Sequence, residues 1–175
     1  SSQVPIAEHA DVKRMLLFQR SIVEGSFALL LQCSRYEDMC KLTKGDERET
    51  YELLLDLLTP IAKTYSSEMG ILSTSQSIQC FGGYGYCEDF PVEQYFRDMR
   101  IHPIHEGTTG IQGMDLLGRK VIMKEGQAFK LFGKAVKETI GDAEKEAALA
   151  PYAAQLAKEL ESLENTTLHL IGVAN

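Results

Sequence analysis

Tryptophan is absent from the 175 residues, and so is any excess of positive charge: 18 Lys and Arg stand against 25 Asp and Glu, a formal net charge of −7. Nucleic-acid binding rests on neutralising phosphates, so this balance argues against it. Charge identifies no other partner. No apolar run approaches the ~20 residues a membrane span needs. The polar N-terminus lacks the apolar core of a secretory signal. Cysteine is scarce, at four. Cys33 and Cys40 lie seven apart on a predicted helix, where they share a face but cannot bridge. Cys80 and Cys87 bracket a Gly-rich turn with no CxxC spacing. Neither pair has a His at ligand spacing, so no metal is expected. The four are read as buried free thiols in a reducing compartment, and the protein as cytoplasmic. There is no internal repeat, no low-complexity tract and no alternating apolar run of the kind a strand needs.

What is present is helical periodicity, in a chain 44% hydrophobic. From about Asp11 to Leu42 the apolar positions Met15, Leu16, Ile22, Val23, Phe27 and Leu30 recur at three- and four-residue steps. Lys44-Gly45-Asp46 marks a turn. A second pattern runs from about Glu49 to Met69, with a kink expected at Pro60, and a third, shorter helix is predicted over Ile71 to Gln79. A short helix is expected from Pro91 to about Arg97, then a break at Pro103. A longer one opens at Gly107 or Thr108 and passes through Ile111, Leu116 and Val121. Two Ala-, Lys- and Glu-rich stretches near Ala128–Leu149 and Pro151–Leu170 follow. The predicted fold is all-α: an up-and-down helical bundle over residues 1–125, with additional C-terminal helices over 126–175 packed on or extending it. The abrupt start at Ser1-Ser2-Gln3 and the ending at Gly172-Val173-Ala174-Asn175 read as those of a fragment.

The polar oddities gather between Gln79 and Gln112. Gly82, Gly83 and Gly85 clear side chains from a loop, which suits either a cofactor-contacting turn or a helix C-cap followed by a tight turn. On glycines alone the cap is the simpler reading, and the spacing is not a dinucleotide fingerprint. Arg97 and Asp98 suggest a structural salt bridge. His102 and His105 suit acid–base chemistry by residue type, yet no Ser or Cys nucleophile stands in a hydrolase setting. Glu106 precedes the flexible Gly107 and the helix opened by Thr108 and Thr109. Its carboxylate either caps that helix and favours its dipole, or acts as a general base on a corner where Gly107 lets a ligand approach. The first-turn N–H groups would then face a phosphate or carbonyl.

Three blocks, in order, carry a resemblance: Gln79-Cys80-Phe81-Gly82-Gly83-Tyr84-Gly85-Tyr86, then Val92-Glu93-Gln94-Tyr95-Phe96-Arg97-Asp98, then Ile104-His105-Glu106-Gly107-Thr108-Thr109-Gly110-Ile111-Gln112. Together they resemble the C-terminal domain of the acyl-CoA dehydrogenases, most clearly over residues 76–120. Residues 4–72 look like the two preceding bundle helices. Gly113 to Lys120 is similar to the longer-chain subclass with extra C-terminal helices, and the resemblance fades after about Phe132. It implies FAD-dependent oxidation of an acyl-CoA thioester to its trans-2-enoyl form, with Glu106 as the catalytic base. It further implies FAD contacts from Gln79, Gly82 and Gly83 across a subunit boundary, and from Thr108 and Gln112. His105 and Gly107 would line the thioester site, with electron-transfer flavoprotein or a similar acceptor as partner and a homo-oligomeric parent.

Two residues depart from the family pattern. His105 stands where a tyrosine is usual, and Gly110 where a glutamine is common. The family's N-terminal helical and central strand-rich domains have no counterpart in this sequence, so the chain alone is expected to hold FAD weakly or not at all and to be inactive. Two other readings compete: a helical binding or assembly domain that has kept the fold, and an acyl-CoA oxidase.

Overall fold

The computed structural model describes residues 3–174, and among them there are helices and turns but no strand. Ser1, Ser2 and Asn175, read from the sequence as the ends of a fragment, lie outside the described residues. Helix α1 spans Ala10–Leu42 and α2 spans Gly45–Phe81. They form a long antiparallel hairpin, joined where Gly45 takes a positive φ of 60°. Four shorter helices follow: α3 Val92–Ile101, α4 Thr109–Asp115, α5 Met123–Ala143 and α6 Ala150–Ala174. The all-α expectation holds.

Sequence reasoning divided α2 in two near Gly70, but the helix runs unbroken for 37 residues. Gly70 serves packing rather than breaking: a Cβ there would sit 2.6 Å from Met99 Sδ, so its bare backbone lets α3 approach. Pro60 is also accommodated inside the helix, its ring fully buried. A buried apolar ring offsets part of the cost of the missing N–H. α3 continues to Ile101, four residues past the expected end. α5 stops at Ala143, short of the expected Leu149.

After α4 the helix widens into a π-turn over Leu116–Lys120, closed by Val121 N–H donating to the Leu116 carbonyl at 2.9 Å. Lys124, Glu125 and Gly126 then adopt left-handed angles, with φ of 50°, 57° and 76°. That redirects the chain, and α5 packs back onto α2. Two lysines pin the corner. Lys120, only 6% exposed, reaches Asp56 on α2 at 2.9 Å, and Lys124 pairs with Glu49. A buried ammonium needs such a partner to offset its desolvation. The core beneath joins Leu53 and Leu57 of α2 to Val121 and Ala128, with Phe129 and Ile171 packed against them. The C-terminal helices therefore share a core with α2.

The four cysteines are free, but only Cys40 is buried and Cys87 is exposed, so the expectation of four buried thiols fails. Burial, then the carboxylates of Glu52 and Glu37, push the Cys40 thiol above its usual range. Arg97 pairs with Glu93, at 2.8 and 3.1 Å, and not with Asp98. Successive residues on a helix do not face each other, whereas residues four apart do.

Candidate functional site

The segment from His102 to Gln112 is a loop and helix start laid against the middle of α2. α3 ends at Ile101, and a turn around the buried Pro103 follows. His102 Nδ1 and His105 Nε2 stand 3.2 Å apart, a hydrogen bond that requires one ring to donate and the other to accept. Glu106 is exposed. Gly107 has a φ of 77°, and a Cβ there would meet Gln112 Nε2 at 2.4 Å. The positive φ favours glycine at this position.

The helix cap is Thr108, not Glu106. Thr108 Oγ1 accepts from the Ile111 N–H at 3.4 Å. Glu106 is thereby left with its carboxylate uncommitted to the helix. Of the first-turn donors, Thr109 N–H is also taken, by the Pro103 carbonyl at 3.3 Å. The picture of a helix start with all its N–H groups turned to a ligand is corrected accordingly.

Three side chains fix this segment. Gln112 donates from Nε2 to the Gly107 carbonyl at 3.2 Å. Lys63 of α2 donates to the His105 carbonyl at 3.5 Å. Thr109 Oγ1 donates to Glu68 Oε1 of α2 at 2.5 Å, with both residues half-buried. Lys63 and Glu68 escaped sequence reasoning because their partners lie 42 and 41 residues away. Their one local signal is spacing: five residues apart on α2, they lie within one and a half turns of each other. At the end of α4, a hydrogen bond from Arg119 holds the Asp115 carboxyl below the usual range.

Gln79, Gly82 and Gly83 form a second group at the far end of α2. Gln79 is exposed on its last turns. Gly82, with φ of 62°, closes the helix, its N–H bonded to the Gln79 carbonyl, so the C-cap reading of these glycines is realised. A Cβ at Gly82 or Gly83 would meet nothing within 4 Å, which leaves both backbones open to a neighbour. Glu68 and Gln79 are 11 residues apart on one continuous helix, about 16 Å along its axis. The two groups thus stand apart on α2.

A depression of about 440 Å3 between α2 and α4 is lined by Pro60, Ile61, Thr64, Glu68, Gln112 and Leu116. A larger one, about 990 Å3, lies between α5 and α6 and draws no lining from residues 79–112. Glu106 lines neither.

The family model described as acyl-CoA dehydrogenase, C-terminal domain, matches residues 2–122. The 3-methylmercaptopropionyl-CoA dehydrogenase of Ruegeria pomeroyi is 36% identical over 172 residues, 98% of this chain and 29% of that relative. A butyryl-CoA dehydrogenase of Syntrophomonas wolfei is 43% identical over 128 residues, 73% of this chain and 21% of its own length. A broad-specificity linear acyl-CoA dehydrogenase of Mycobacterium tuberculosis is 31% identical over 172 residues, 97% of this chain and 28% of the relative. The chain thus spans less than a third of the length of these relatives. Two of the three alignments run on into α5 and α6, past the point where sequence reasoning saw the resemblance fade.

Proposed function

From the premise that this chain belongs to the acyl-CoA dehydrogenase family, as its C-terminal domain, we propose that it forms the base-bearing part of an FAD-dependent enzyme oxidising acyl-CoA thioesters to trans-2-enoyl-CoA. Residues 1–125 are the helical bundle of that enzyme, and 126–175 are additional helices packed on it. The observation that carries the reading is the corner at Glu106. Thr108 takes the capping role that would otherwise explain the carboxylate, and Gln112, Lys63 and Glu68 hold the loop on both sides of it.

Glu106 takes the proton from the carbon next to the thioester. That carbon acid is weak, so the base works best when water is excluded and its pKa rises toward working pH. In this chain Glu106 is exposed. The walls that exclude water therefore come from the remaining length of the enzyme or from the substrate. Gly107, without a side chain, lets the thioester come close, and His105 borders it in place of the family's tyrosine.

The residues present fit two edges of a flavin site rather than a whole one. Thr108 keeps its hydroxyl hydrogen to donate while its oxygen caps α4, and Gln112 flanks it. Gln79, Gly82 and Gly83 offer an open edge at the other end of α2. Glu68, which holds Thr109, and Gln79 stand about 16 Å apart along α2, and the Gln79 edge, left open at Gly82 and Gly83, would serve the flavin of a neighbouring subunit in a homo-oligomer. FAD held along these edges would supply the acceptor for the β-carbon's hydride, and the electron partner of the complete enzyme would be a separate protein such as electron-transfer flavoprotein. None of the described helices is long and apolar enough to cross a membrane.

The test is Glu106→Gln in the enzyme that carries this chain together with the rest of the relatives' length. Loss of the base is expected to lower kcat by about 10^2- to 10^4-fold while flavin stays bound. Dehydrogenation at the unaltered rate would rule out Glu106 as the base.

A further inference from the structure

Glu68 stands out among the polar groups that touch the Glu106 loop. Lys63 also reaches the loop, but at 3.5 Å and onto the exposed His105. The Glu68 contact is 2.5 Å and half-buried, a hydroxyl donating to a carboxylate oxygen. Charge-assisted bonds of this kind are shorter and about twice as strong as neutral ones. It is made to Thr109, three residues after Glu106 and the first residue of α4. Between the two lies Gly107, which Gln112 clamps from the following turn. Pro103, at the start of the loop, accepts from the Thr109 N–H. Both ends of the loop therefore converge on Thr109, and its hydroxyl is tied to α2 through Glu68. α2 in this region is well anchored, with Gly70 against Met99 and Ser67 buried.

We propose that Glu68 is a positioning residue: by accepting the Thr109 hydroxyl it holds the start of α4, and with it Glu106, at the angle from which the base meets its proton. This rests on the reading of Glu106 as the base. Glu68 touches neither substrate nor flavin in this role. Its effect comes through geometry, and a misplacement of about 1 Å at a reacting group costs up to about 10^2-fold in rate.

The experiment compares Glu68→Ala, Glu68→Gln, Thr109→Val and the double variant Glu68→Ala/Thr109→Val in the flavin-loaded enzyme, with saturated acyl-CoA thioesters as substrates. Glu68→Ala and Thr109→Val are each expected to lower kcat about 10- to 100-fold with KM within about twofold. The double variant should be no slower than the worse single one, because both remove the same bond. Glu68→Gln should recover most of the rate, since its amide oxygen accepts the same hydroxyl. Where Glu68→Ala fails to fold, Thr109→Val decides, because it only exchanges a hydroxyl for a methyl. Independent, multiplying losses in the double variant would overturn the proposal, as would unchanged kcat in Thr109→Val while Glu106→Gln is inactive. A fully active Glu106→Gln would instead show that the base assignment itself had failed, and the positioning role with it.

Discussion

A methyl group added at Gly85 would sit 2.5 Å from the Ile78 carbonyl oxygen and 2.9 Å from Phe81 Cβ, whereas one added at Gly83 meets nothing within 4 Å. Two residues of one glycine cluster thus do different work. Gly85 is buried under the end of α2, where backbone leaves a side chain no room to escape. Gly83 is open to whatever approaches from outside. Gly85→Ala is expected to cost about 1–3 kcal/mol, seen as a lower midpoint in thermal or denaturant unfolding of the chain. Gly83→Ala should leave that midpoint within about 0.5 kcal/mol and act, if at all, on flavin retention in the complete enzyme. Equal destabilisation by the two would show that the loop packs differently. Nothing local in Gly82-Gly83-Tyr84-Gly85-Tyr86 separates these roles. The distinction comes from the path of α2, which brings the Ile78 carbonyl under one glycine and not the other.

At the level of helices, most of what the sequence made legible was periodic. The apolar spacing from Met15 to Leu30 located α1 within a residue, because a long amphipathic repeat outweighs local propensity. The reading failed where a glycine had a tertiary purpose. Gly70 looked like a break in α2 and is a landing site for Met99. The cap of α4 was not legible either: the sequence offered Glu106 for it, and the backbone geometry assigns the role to Thr108. That assignment has a measurable consequence. The Thr108 cap bond is long, 3.4 Å to the Ile111 N–H, so Thr108→Ala should cost about 0.5 kcal/mol, the low end for cap removal, while Thr108→Ser should cost almost nothing. Thermal unfolding of the chain reads both. A loss well beyond about 2 kcal/mol would mean that Thr108 holds more than the cap. The three sequence blocks made the candidate residues legible. The supports from Lys63 and Glu68 were hidden, since a contact across 41 residues leaves no trace in local pattern.

Taken whole, the molecule presents the proposed site residues on open surface. Along α1, whose main packing partner is α2, Leu17, Val23 and Phe27 are 68%, 60% and 62% exposed. Large apolar side chains exposed along one helix suit a face that another protein surface covers. Glu106 is likewise exposed, and the candidate flavin contacts fall in two groups, one at the start of α4 and one at the C-terminal end of α2. Affinity for a large planar cofactor depends on burying most of its surface between walls that already exist. The two groups lie on different elements, and Gly82 and Gly83 at one of them meet nothing within 4 Å. The chain by itself, mixed with excess FAD and passed through a desalting column, should therefore emerge colourless and show no dehydrogenation of acyl-CoA with an artificial electron acceptor. Extending it by the remaining length of its relatives should restore both the yellow colour and the activity. Stoichiometric flavin retained by the 175-residue chain would mean that the bundle assembles a complete site on its own, with a second copy supplying the missing walls.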